Sequence, residues 1–222
     1  MGKVYLEQQM DIHDLIVGYE AFRQKKFKKF QNRFIDLVKN GQKPKVLFVA
    51  CCDSRVDPTL ITNSNPGDLF VVRNIGNFIP PYKADEDYHG TAAAIEYAVS
   101  VLNVSDIIVC GHSNCGAIEG VYRKIDDPAL VHVKKWLKLG RVARDYVEER
   151  IYDTESHAQK LAMTERISVV FQLSNLLTYP EVARRVESGK LSLRGWYYKI
   201  ETGEVEYYDD ESMTFLPMQS LS

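Results

Sequence analysis

The chain has 222 residues, a formal net charge of −2, 45% hydrophobic and 26% charged residues. That is the balance of a globular protein with one sizeable core, and it gives no electrostatic case for binding nucleic acid or an anionic membrane surface. No apolar run is long enough to span a bilayer, and the first ten residues lack the apolar centre of a signal peptide, so no membrane association and a cytoplasmic location are expected.

Residues 11–40 read as a helical arm. Ile12, Leu15, Ile16, Tyr19, Phe22, Phe27, Phe30, Phe34 and Leu37 recur at three- to four-residue spacing. The basic run from Arg23 to Lys29 fits the solvated face of such a helix. Asn40-Gly41 ends it, and Val46–Cys51 is the first buried, β-branched strand. Asp57-Pro58 opens a short helix, and Leu69 to Arg73 forms a second strand. A loop with Pro80-Pro81 leads to an Ala-rich helix from His89 to Leu102, with Tyr88 and His89 before it as candidates for moving protons. Asp106 to Cys110 is the third strand, and a helix starts at Cys115. Residues 129–151 form helices split near Gly140. Residues 155–178 form a long helix with Leu161, Ile167, Val170, Phe171, Leu173, Leu176 and Leu177 as its apolar side. Residues 191–200 and 204–208 form a β-hairpin turning at Thr202-Gly203, and residues 211–222 read as a tail.

Alternating strands and helices predict an α/β fold with a mainly parallel sheet and flanking helices. The core strand order is 2-1-3-4, ending in the C-terminal hairpin. A single domain over 1–222 is expected: an arm at 1–40, an α/β core at 41–125, and a helical layer with the hairpin at 126–210. In open sheets of this kind ligands bind where the strand order reverses, here between the first and third strands.

Those two strands carry the chemistry. Cys51 ends the first; His112 and Cys115 follow the third. Parallel neighbours lie about 5 Å apart, so three ligands converge at one sheet edge. Cys, His and Cys with no fourth protein ligand is a set for catalytic zinc with one position left for water. Strand alternation favours Cys51 over Cys52, and Cys110, inside its strand, suits small apolar filler. Two residues beyond Cys51, Asp53 can orient a nucleophilic oxygen, and Arg55 can hold it by a bidentate pair.

Cys51-x-Asp53-Ser54-Arg55 followed by His112-x-x-Cys115 resembles the β-class carbonic anhydrases. So do Pro66-Gly67-Asp68-Leu69-Phe70-Val71-Val72-Arg73-Asn74, Gly90 to Val99, and Gly195-Trp196-Tyr197-Tyr198. The resemblance spans roughly residues 15–210. It implies one Zn²⁺ per chain and reversible hydration of carbon dioxide to bicarbonate and a proton, by attack of zinc-bound hydroxide. It implies that Gln42, Phe70, Ile75, Tyr97 and Gly116 line the substrate pocket. In the family the Phe and Tyr come from the partner subunit, which implies an obligate homodimer, with tetramers or larger assemblies open. Phe48 and Ala50 stand where members with a closable site carry Trp and Gly, so this chain is more similar to the always-open type. Two other readings stand beside this one: hydrolysis of carbonyl sulfide or carbon disulfide on the same scaffold, and a non-catalytic zinc or thiol-sensing module built on Cys51 and Cys52.

Overall fold

The centre of the sheet follows from residues 46–51 and 106–112, two nearly unbroken apolar runs. In the computed structural model, which describes residues 10–85, 87–150 and 155–221, they form β1 (Val46–Cys51) and β3 (Asp106–His112), both buried almost throughout. β1 pairs in parallel with β3, Leu47 opposite Ile107, and on its other side with β2 (Leu69–Asn74), Cys51 opposite Asn74. β4 (Ser192–Tyr198) continues in parallel beside β3. β5 (Val205–Asp209) then returns antiparallel, so the hairpin forms as the turn residues predict. The strand order is β2-β1-β3-β4-β5, with a sixth strand beyond β5.

The sixth strand corrects the expected tail. β6 (Thr214–Pro217) pairs antiparallel with β5. Its hold is aromatic: Phe215 lies against Tyr208 and Tyr197, with ring centroids 5.4 and 6.3 Å away. A four-residue run ending in Pro carries too little period-2 signal to be read as a strand, but Pro is tolerated on an edge.

Alternation along β1 and β3 supplies both faces of the core. Leu47, Val49, Ile107 and Val109 pack with Ile95, Val99, Val169, Leu176 and Val182 on one face. Phe48, Ala50, Ile108 and Cys110 pack with Val56 and Trp196 on the other. The connecting helices are α3 (Pro58–Ile61), capped by the Asp57 carboxylate, and α4 (Gly90–Glu96), which widens into a π-helical turn over Tyr97–Val101. Then come α5 (Gly116–Tyr122), α6 (Val131–Trp136), α7 (Arg141–Glu148), α8 (His157–Leu176) and α9 (Pro180–Glu187). Residue 151, the expected end of the helices at 129–151, lies outside the described residues.

The buried face of α8 is not the one its leucines outline. Ser156 and Gln159 cap its start reciprocally, but the residues it buries are Thr164, Glu165, Ser168, Val169, Gln172 and Leu176. The polar members meet backbone that the sheet leaves unpaired: Gln172 Oε1 accepts the Ile79 N–H at 2.7 Å. Close approach is allowed by Gly111 on β3, where a Cβ would come within 2.7 Å of Val169.

The chain divides into two compact units, Met1–Gln42 and Lys43–Ser222. Within the first, α1 (Ile12–Ala21) and α2 (Phe27–Asn40) are joined by a π-helical turn at Phe22–Lys26, and neither helix buries a residue. Asp11 caps α1 in a reciprocal box with Asp14. Residues 1–9, where no signal peptide is expected, lie outside the described residues.

Candidate metal centre

At the C-terminal ends of β1 and β3 the ligand atoms of Cys51, His112 and Cys115 all lie within 4.8 Å of one another, and all three residues are buried. The turn that brings Cys115 back needs an unusual backbone: Asn114 sits at φ +54, a left-handed position that Asn tolerates better than most residues. Several contacts hold that turn. Ser113 Oγ donates to Glu201 at 2.8 Å, the Asn114 amide also reaches Glu201, and Arg55 donates to the Asn114 carbonyl at 3.1 Å.

The imidazole of His112 has a defined tautomer. Nδ1 lies 2.8 Å from the Ser113 carbonyl oxygen, which can only accept, so Nδ1 carries the proton. Nε2 therefore presents a lone pair, and this buried atom has no hydrogen-bond partner in the protein. An orphaned basic nitrogen beside two sulfurs is costly unless a cation takes its lone pair. The sulfurs show the same need. A hydrogen bond from Cys115 pulls the Cys51 thiol down to about 4, with smaller help from His112 and the Asp53 and Gly76 backbone. The resulting Cys51 thiolate and burial push Cys115 up. Two buried sulfurs this close resist ionising together, and a positive charge between them would relieve that. The donor set fits a zinc ion on this ground, independently of any likeness to other proteins.

Around these residues stand fixed partners. The Gly76 N–H donates to Cys51 Sγ at 3.4 Å. Asp53 is gripped by Arg55 through both oxygens, Nε to Oδ1 at 2.9 Å and a terminal nitrogen to Oδ2 at 2.7 Å, with the Arg55 N–H also on Oδ1 at 3.0 Å. That pair holds the Asp53 carboxyl well below the usual carboxylate range. Arg73 braces the strand end, donating to the carbonyls of Cys51 and Asp53 at 3.0 and 2.7 Å. Cys52 is exposed. Cys110 is buried in the core, which pushes its thiol up to about 12 and leaves it a neutral apolar filler.

The residues expected to line a substrate pocket are not gathered in one place within the chain. Gly116 is exposed beside Cys115, with nothing within 4 Å of where a Cβ would stand. Ile75 is 46% exposed, and its carbonyl accepts the Trp136 indole N–H at 2.7 Å. Phe70 stacks on Tyr97 at 5.9 Å between ring centroids. Phe70 pairs with Leu47, four residues before the Cys51 level, and so sits about 13 Å back along the sheet. Tyr97 lines a cavity of about 470 Å³ with Tyr82, Glu96, Tyr179 and Val182, a cavity that none of Cys51, His112 and Cys115 lines. Gln42 is exposed and ends the first unit. His89 is exposed, with Nε2 2.7 Å from Asp85 Oδ1.

One functional neighbour was not foreseen. Glu165 of α8, 5% exposed, accepts the Cys115 N–H at 2.9 Å and the Tyr197 hydroxyl at 2.6 Å. A Glu on a helix ordinarily reads as solvent-facing, and nothing local in the sequence marks this one as buried.

A parallel α/β sheet carrying a buried two-sulfur, one-imidazole cluster at its switch point defines a metal-dependent enzyme of the doubly wound kind. The comparisons are more specific. A family model described as carbonic anhydrase matches residues 46–205. A carbonic anhydrase of Synechocystis is 44% identical over 212 residues, covering 93% of this chain and 74% of the relative. The solved β-carbonic anhydrase CcaA superposes with a TM-score of 0.84 at 41% identity, covering 93% of this chain and 91% of its own. A tetrameric β-carbonic anhydrase from Sordaria macrospora gives 0.77 at 27% identity, covering 88% and 95%. The chain belongs to the β-carbonic anhydrase family, metalloenzymes whose general reaction is the hydration of carbon dioxide. Among the described residues no helix is long and apolar enough to cross a membrane.

Proposed function

We propose that this chain interconverts carbon dioxide and bicarbonate at one zinc ion held by Cys51 Sγ, His112 Nε2 and Cys115 Sγ. The observation that carries the reading is the unpartnered Nε2 of His112, its tautomer fixed, within 4.8 Å of two cysteine sulfurs. Zinc bound there supplies a Lewis acid that makes water nucleophilic near neutral pH. Two sulfur ligands donate more charge than imidazoles do, so the protein must help. Asp53, kept ionised, can only accept; it takes a hydrogen bond from the attacking water and so directs an oxygen lone pair towards substrate. Arg55 fixes Asp53 at both oxygens, so the acceptor is oriented before substrate arrives. With Asp53 committed to Arg55, no other His, Cys, Asp or Glu among the described residues joins the three ligands, which favours this reading over a structural zinc module.

Ile75 and Gly116 form this chain's part of the substrate pocket, and Gln42 donates to a carbonate oxygen, a role assigned on the resemblance alone. Phe70 and Tyr97 are too far back along the sheet to serve their own metal centre, so they serve that of a second copy. The working unit is then at least a homodimer; two β-carbonic anhydrases of Sordaria macrospora are tetrameric. Reduced thiols of this kind suit the cytoplasm.

The test combines zinc analysis with stopped-flow carbon dioxide hydration. Wild type should carry one zinc per chain and hydrate carbon dioxide. Cys51→Ser should lose most of both. Retention of metal and rate by Cys51→Ser would refute the ligand assignment.

A further inference from the structure

We propose that Glu165 is a positioning residue that locks the Cys115 side of the metal centre, with Tyr197 as its anchor. The inference rests on the reading that Cys51, His112 and Cys115 hold the metal. His112 and Cys115 are separated by only two residues, so the orientation of the 114–115 peptide sets where the Cys115 sulfur points. From the exposed side that turn is held by Glu201 and Arg55. From the buried side the Cys115 N–H donates to Glu165 Oε1 at 2.9 Å.

A carboxylate is an expensive way to satisfy one amide. Glu165 is 5% exposed and makes no salt bridge among the described residues; the neighbouring Arg166 turns away to Glu206 at 2.9 Å and lies over the Tyr197 ring. A side-chain amide, hydroxyl or buried water would satisfy the same N–H at less desolvation cost. What the carboxylate adds is a strong, short acceptor at both oxygens. The Tyr197 hydroxyl donates to Oε2 at 2.6 Å, and Tyr197 itself is 2% exposed and pairs with Gly111, next to His112. Glu165 therefore ties three elements to the centre at once: α8, the start of α5, and β4 beside the strand that carries His112. Partners of metal ligands set ligand orientation and metal retention.

The test is zinc release from the loaded enzyme to a chromophoric chelator, with the visible spectrum of cobalt-substituted protein as a second readout. Glu165→Ala should release zinc about 10- to 100-fold faster than wild type and shift the sulfur-to-cobalt bands. Glu165→Gln, whose amide oxygen still accepts the Cys115 N–H and whose NH2 can donate to the Tyr197 oxygen once that hydroxyl turns, keeps both contacts in neutral form and should stay within about three-fold of wild type. Tyr197→Phe should fall between them, and it stands in should Glu165→Ala not fold. Wild-type release rates and cobalt spectra in Glu165→Ala and Tyr197→Phe, even with a lowered melting temperature, would overturn the proposal. Wild-type protein without stoichiometric zinc or sulfur-to-cobalt bands would instead overturn the metal reading beneath it.

Discussion

Arg55 holds Asp53 with its guanidinium and its own N–H, and holds the Asn114 carbonyl as well. Truncating it frees both the acceptor and the ligand turn, so Arg55→Ala should lower kcat/KM about 10- to 100-fold while leaving most of the fold intact. The pair also sets a sign for pH. Because Asp53 titrates below its unfolded value, the stability it contributes is fully present above about pH 4 and is lost as pH falls through its lower folded value. Arg55→Ala should move that titration upward, towards the ordinary carboxylate value, which NMR of the Asp53 carboxyl would follow. At this scale the sequence is informative where residue type and strand position coincide. Cys51 and His112 end their strands, Cys115 follows one turn later, and Asp53 and Arg55 stand beside them. Glu165 is illegible for the opposite reason: nothing local distinguishes a helical Glu that faces a backbone amide from one that faces water.

Gly76 shows how an element can be tuned to the site. Its φ is +77, and a Cβ would lie 2.8 Å from Phe78 and 2.9 Å from Ala117, on the residue whose N–H meets Cys51 Sγ. Gly76→Ala should cost about 2 kcal/mol through backbone strain and overpacking, lowering Tm by about 4–8 °C. It should also weaken metal retention, which separates it from an ordinary packing variant; calorimetry with zinc analysis reads both. Phe215→Ala, on β6, should cost about 2 kcal/mol, less than a fully buried ring, and leave zinc content unchanged. The element pattern was readable for β1, β3 and the hairpin because their periodicity is strong. β6 was lost because it is short and closes on Pro. The face of α8 differs from the expected one because its burial is set by backbone N–H groups of Ile79 and Cys115, partners far away in sequence. The π-helical turn at Tyr97 leaves no mark in residue spacing.

In the molecule as a whole, half the expected pocket is displaced from its own metal centre. Phe70 and Tyr97 stack on each other at the level of Leu47, and Tyr97 remains 45% exposed. In the first unit Ile12, Leu15, Ile16, Val17 and Tyr19 are each more than half exposed. Exposed apolar surface on this scale calls for a partner, and a second copy would account for both sets. Sedimentation should show a species of at least twice 25.4 kDa, with no catalytically competent monomer on dilution; an active monomer would break the assignment of Phe70 and Tyr97 to a neighbouring site. The account as a whole stands on a zinc ion with one position open to water. The most direct measurement is a crystal structure of the zinc-loaded protein at mildly alkaline pH, with anomalous scattering at the zinc edge. One zinc per chain on Cys51 Sγ, His112 Nε2 and Cys115 Sγ, with solvent as the fourth ligand and Asp53 still on Arg55, is the predicted result. Asp53, Cys52 or another side chain in the fourth position, or no zinc in active protein, would contradict it.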